Sequence, residues 1–189
     1  MNKLEKNLRN TRYLTTLAMF AVIIVVLQVL ATFIRFGTFP ITLTLVPIIV
    51  AGALYGVRCG AAMGTVFGVI VLIMVITGAD PSGQAMLGIH PMVTSLTCIL
   101  KGTACGAAAA AVYKLLSKKH KMAPVFAAAV VCPIVNTGCL YIALILFFET
   151  SLAAMFSAFM SVNFLIELVI NVLLAPVVFR IVEIRSKNI

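Results

Sequence analysis

Apolar stretches of roughly 20 residues recur along this chain, and that recurrence constrains its fold more than any other feature. Crossing about 30 Å of hydrocarbon takes about 20 residues of helix, and inside a bilayer the backbone must satisfy its own N–H and C=O groups. Six such stretches can be drawn, at about 13–34, 40–57, 60–77, 92–116, 123–148 and 155–182. The expectation is an all-α integral membrane protein of six transmembrane helices, a single membrane domain over residues 1–189. A cleaved signal peptide would explain one apolar run near the N-terminus but not six. Composition agrees, since 63% of residues are hydrophobic and 10% charged, against about 25% charged in soluble domains. The second and third stretches are the shortest, and "YGVRCG" (55–60) leaves only a tight turn between them.

A net charge of +9 would suggest nucleic acid as the partner of a soluble protein. Here the partner is the lipid bilayer, and the positions of the charges matter more than their sum. Lys3, Lys6, Arg9 and Arg12 precede the first stretch, Arg58 lies in the tight turn, and Lys114, Lys118, Lys119 and Lys121 separate the fourth stretch from the fifth. Arg180, Arg185 and Lys187 close the chain. With six spans, every Lys and Arg except Arg35 and Lys101 falls on one side, which the positive-inside rule makes cytoplasmic. Both termini are therefore expected inside, with Arg35, Asp80 and Glu149 outside. The outer segment 78–91, "GADPSGQAMLGIHP", carries Met86, Leu87 and Ile89. It reads as a lid folded onto the bundle, since a long loop in a small domain is functional or disordered.

Gly52, Gly56, Gly60, Gly64 and Gly68 recur at every fourth residue across the second stretch, the turn and the third. Gly102, Gly106 and the run Ala107 to Ala111 repeat the theme in the fourth. Small residues four apart share a helix face and let a neighbouring backbone approach. The plain reading is packing within the bundle; the sharper one is a smooth face for docking another membrane subunit, with Ala18, Ala21, Gly52 and Gly56 as its candidates. The five cysteines, Cys59, Cys98, Cys105, Cys132 and Cys139, lack C-x-x-C spacing and companion histidines, so they read as packing residues.

Asn163, Glu167 and Asn171 lie at i, i+4 and i+8 and hold one stripe of a helix. Ionisable groups inside spans face the protein interior and mark ligand or ion pathways. Counted from the outer surface, Glu167 lies about 18 Å down its span and Lys101 about 14 Å down its own, at 1.5 Å per residue. The two share a depth, either as a buried ion pair joining two helices or as the wall of a polar cavity. The candidate substrate-binding residues are Lys101, Glu167, Asn163, Asn136, Gln28, Asp80 and Thr42. Catalysis has little support: no G-x-S-x-G, no H-E-x-x-H and no P-loop is present, and neither His90 nor His120 lies in a span. No metal site and no cofactor are expected.

In order and spacing these features resemble the substrate-binding S components of energy-coupling factor (ECF) transporters, which import vitamins into bacteria and archaea. The stretch "FPITLTLVPIIVAGALYGVRCGAAMGTVFGVI" (39–70) looks like that family's second and third helices with their glycine-bounded turn. The outer loop from Gly78 to Pro81, the small residues of the fourth stretch and "NFLIELVINVLLAP" (163–176) continue the likeness. The family often carries Ala-x-x-x-Ala near the start of its first helix for docking; here Leu17/Ala21 and Ala18/Val22 each supply one alanine. The resemblance implies a subunit of a cell-membrane importer, not an enzyme, that captures a water-soluble vitamin at the outer face and closes the first and third loops over it. Its partners would be a membrane coupling subunit and two cytoplasmic ATPase subunits. The branch looks most like the riboflavin and pantothenate type, with biotin and folate types as alternatives; a membrane enzyme and an assembly scaffold are the rival classes.

Overall fold

A computed structural model describes the backbone of residues 3–31, 33, 35–36, 39–40, 43–117, 122–148 and 150–186. Among the described residues there are seven helices: α1 (Lys3–Ala31), α2 (Leu45–Tyr55), α3 (Val57–Ile76), α4 (Pro81–Ile89), α5 (Pro91–Leu116), α6 (Ala123–Phe147) and α7 (Thr150–Ser186). Between α1 and α2, the short strands β1 (Arg35–Phe36) and β2 (Phe39–Pro40) pair antiparallel. Among the described residues, five segments are long and apolar enough to cross a membrane: Tyr13–Ala31, Val57–Ile76, Pro91–Leu116, Ala123–Phe147 and Ser161–Arg185.

The second span, expected at 40–57, is shorter as a helix. Helix α2 has 11 residues, about 16 Å at 1.5 Å per residue. Pro47 sets the limit. It lacks an N–H, and its ring clashes with the carbonyl four residues back, so a helix holding it must begin within the preceding turn. Thr44, fully buried, donates its hydroxyl to Gln28 Oε1 at 2.8 Å. At the other end of the pair, the rings of Tyr13 and Tyr55 meet edge to face at 5.3 Å. Helix α2 therefore runs antiparallel to α1 and starts at the depth of Gln28, near the end of α1.

Gly56 alone joins α2 to α3, at φ 86°, a left-handed conformation in which a Cβ is strained. Its N–H bonds to Gly52 O at 2.9 Å, while its carbonyl accepts from Gly60 N at 3.0 Å. From this turn α3 runs antiparallel to α5, and the two small-residue faces read from the sequence meet each other. Gly60 stands against Gly106, Gly64 against Gly102, and Gly68 against Cys98 and Ile99. A methyl group added at Gly64 or Gly102 would collide with the opposite backbone carbonyl. Thr65 and Thr103 share a hydrogen bond of 2.8 Å across the same seam.

The segment 78–91 is largely the helix α4. Pro81 occupies its first position and Asp80 caps it, accepting Gly83 N–H at 3.2 Å, an arrangement that satisfies an otherwise orphaned helix-start donor. Met86 is buried with Leu144 and Phe148 in a small cluster of its own, and His90 meets the Phe148 ring edge to face at 5.3 Å. These contacts hold α4 across the ends of α3, α5 and α6. The main core lies towards the opposite end, where Ile24, Ile48, Ile49, Cys105, Val125, Cys132, Ala175 and Val178 pack together. Following the connections places Arg58, Lys114 and Arg185 at that opposite end. Lys118, Lys119, Lys121, Glu149 and Lys187 lie outside the described residues, as do the side chains of Lys3, Lys6, Arg9, Arg12 and Arg35.

Candidate functional site

Between α4 and the main core lies a cavity to which α1, α3, α4, α5, α6 and α7 all contribute side chains. Its interior measures about 70 Å³, on a scale where one water needs about 10–15 Å³. Helix α5 contributes Thr94, Thr97, Cys98 and Lys101, successive turns on one face that extend the cavity about 10 Å along the bundle axis. Asn136, Thr137 and Leu140 come from α6, Asn163 and Glu167 from α7, and Gln28 from α1. The facing wall is apolar, built from Phe67, Val71, Met74 and Val75 of α3 and Met86 of α4, with Asp80 and Gly83 at its rim. One side of the cavity is thus oily and the other carries charge, amides and hydroxyls.

Six of the seven residues singled out as substrate-binding from sequence come together here: Gln28, Asp80, Lys101, Asn136, Asn163 and Glu167. Thr42, the seventh, lies outside the described residues. The stripe on α7 divides in function. Asn163 donates its amide to Glu167 Oε1 at 3.3 Å, and both line the cavity. Asn171 sits one turn deeper, 1% exposed, off the cavity wall, and donates to the Glu167 backbone carbonyl at 2.8 Å. On α7, Arg180 pairs with Glu183 at 3.5 Å, while Lys101 and Glu167 both line the cavity.

Several cavity groups are buried without a matching protein group. Thr94 Oγ1, Asn136 Oδ1 and Asn163 Oδ1 have no hydrogen-bond partner among the described residues. Leaving a buried polar atom unsatisfied costs about 1–3 kcal/mol, so three on one cavity, from three helices, need an account beyond packing. Sequence reasoning missed Thr94, Thr97 and Thr137. A signal was present, because Thr94, Thr97, Cys98 and Lys101 repeat at helical spacing and extend the lysine into a polar stripe. The apolar wall left no such trace, since Phe67 or Met74 is indistinguishable in sequence from a lipid-facing neighbour.

The candidate docking residues separate. Ala18 is exposed and Ala21 half-buried on α1, while Gly56 has open space where a side chain would be. Gly52 is buried, and a Cβ there would fall 2.8 Å from Ala110 Cβ. Its smallness serves the packing of α2 on α5, away from any face open to another subunit.

The family model for the substrate-specific component of ECF transporters matches residues 12–179, nearly the whole chain. No match was found among curated proteins.

Proposed function

The chain belongs to the substrate-specific components of ECF transporters, a family of transport subunits rather than enzymes, and from that premise we propose that the cavity is its vitamin-binding site. The ligand is a water-soluble vitamin of the riboflavin or pantothenate type, with biotin and folate types as the alternatives. It enters at the α4 end and is delivered to the opposite side of a bacterial or archaeal plasma membrane. The single observation that carries this reading is the set of buried, unmatched polar atoms, Thr94 Oγ1, Asn136 Oδ1 and Asn163 Oδ1, on one cavity wall opposite an apolar one. Binding sites are mostly apolar with a few convergent polar groups that fix orientation.

Six crossings with both termini inside fit this role. Helix α2 is too short to cross alone, but Thr44 just before it sits at the depth of Gln28, and non-helical backbone is tolerated at such depth where it is buried in protein or lines a cavity. The gathering of Arg58, Lys114 and Arg185 at the end away from α4 supports placing that end in the cytoplasm. There a membrane coupling subunit and two ATPase subunits would drive release, and the exposed side of α1 around Ala18 is the surface we assign to docking.

The test is ligand binding by the purified chain, read beside thermal unfolding without ligand. Glu167→Gln and Lys101→Met are each expected to weaken binding about tenfold or more, which is about 1.4 kcal/mol, while lowering ligand-free stability by less. Stability loss without any change in affinity would return both residues to a purely structural role.

A further inference from the structure

The reading of the cavity as a vitamin site leaves the chemistry of the ligand open, and the polar wall narrows it. The charged side chains on the lining are Asp80, Lys101 and Glu167, two carboxylates to one ammonium. Asn163 spends its amide N–H on Glu167 Oε1 at 3.3 Å, which settles its orientation and turns its Oδ1 into an acceptor. That oxygen has no donor among the described residues, and neither does Asn136 Oδ1. Thr94 Oγ1, on a residue 2% exposed, is unmatched as well. Gln28 Oε1 already accepts from Thr44. The two unmatched amide oxygens, on α6 and α7, can only accept, so these buried positions call for donors from a ligand, while the Thr94 hydroxyl can donate or accept.

Resting on the vitamin-site reading, we propose that the cavity selects a neutral or cationic ligand rich in N–H and O–H donors and disfavours one held through a carboxylate. A ligand carboxylate brings no donor to the unmatched oxygens of Asn136 and Asn163, and sets a third carboxylate beside the single ammonium of Lys101. Buried acceptors without donors are costly, and like charges in a partly dry site repel more strongly than in water. Hydroxyls, ring N–H groups or an amide edge instead donate to Asn136, Asn163 and Glu167. Lys101 is left to donate to a carbonyl or hydroxyl of the same molecule, while the α3 and α4 wall covers its apolar face.

The experiment is a titration of the purified full-length chain in lipid nanodiscs with riboflavin, thiamine, panthenol, pantothenate and biotin, read by calorimetry and by ligand-induced shifts in melting temperature. Panthenol and pantothenate form the decisive pair, since they differ in an alcohol against a carboxylate and need no variant of the protein. The expected result is that panthenol binds about tenfold or more tighter than pantothenate, that the tightest ligand of the five is riboflavin, thiamine or panthenol, and that Asn136→Leu weakens that ligand. Tighter binding of pantothenate or biotin than of every uncharged or cationic probe overturns the inference alone; the vitamin-site reading then stands if Asn136→Leu still weakens the carboxylate. A folded chain that binds none of the five, and not folate either, overturns the vitamin-site reading and the inference with it.

Discussion

At the scale of the residue, the cavity is a place where the protein gives up stability. Thr94 Oγ1 and Asn136 Oδ1 are buried with no hydrogen-bond partner among the described residues, whereas Thr65 and Thr103, each two residues along its helix from a cavity residue, satisfy each other across the α3–α5 seam. Replacing an unmatched polar group by an apolar one of similar shape removes its desolvation cost of about 1–3 kcal/mol. Thr94→Val and Asn136→Leu are thus expected to hold or raise the ligand-free melting temperature while abolishing the ligand-induced rise, as differential scanning would record. Thr65→Val should do the reverse, lowering stability and sparing affinity. Glu167 and the two asparagines beside it were legible in sequence, because a polar stripe in an oily helix must turn away from lipid and towards the protein interior. Which member touches the cavity was not legible: Asn163 and Asn171 are equivalent in spacing, and only packing sets one on the wall and the other below it.

At the scale of the element, the glycine repeat is the clearest example of a pattern with a known physical purpose and an unknown partner. Spacing alone showed a face on which a backbone can come close. The structure pairs α3 with α5 along it, Gly64 against Gly102 and Gly60 against Gly106, so the seam is internal. Gly64→Leu is expected to force the two helices apart and to leave the purified protein aggregated or unfolded in detergent, visible by size-exclusion chromatography. Gly88→Ala, where a Cβ meets nothing, serves as the control and should behave as the native protein does. The length of α2 escapes the sequence for a related reason. Hydropathy counts apolar residues but does not see that Pro47 stops a helix from extending far upstream, and α2 begins at Leu45. In α4, Asp80 and Pro81 are an ordinary helix start, and that signal is available within a segment that otherwise reads as a loop.

At the scale of the whole molecule, the bundle has two unlike ends. One is closed by the core of Ile48, Ile49, Val125 and Val178 and carries Arg58, Lys114 and Arg185. The other holds the cavity and its cover, α4. This polarity is what a one-way capture site requires, and the orientation we propose for it can be checked directly. A cysteine introduced at the exposed Gln84 of α4 is expected to react with an impermeant maleimide in intact cells. One introduced at the exposed Arg58 should react only after the membrane is opened. The native cysteines do not obscure this, since Cys59, Cys98, Cys105 and Cys132 are buried and Cys139 lies within the apolar span of α6. Labelling with the opposite sidedness would reverse the assigned direction of capture.

Sequence by itself determined that this chain is a helical membrane protein with basic residues gathered at the ends of its spans, because hydrocarbon imposes length and composition on any segment that crosses it. It also marked the polar side of the site, because a charge or amide among apolar residues is costly and therefore conspicuous. Tertiary structure alone decided which small-residue faces meet, and that Phe67, Val71 and Met74 close the cavity opposite Lys101 and Glu167. Apolar side chains facing lipid and facing a ligand obey the same local rules. The difference between them lies in what stands across from them, and that is set by helices distant in sequence.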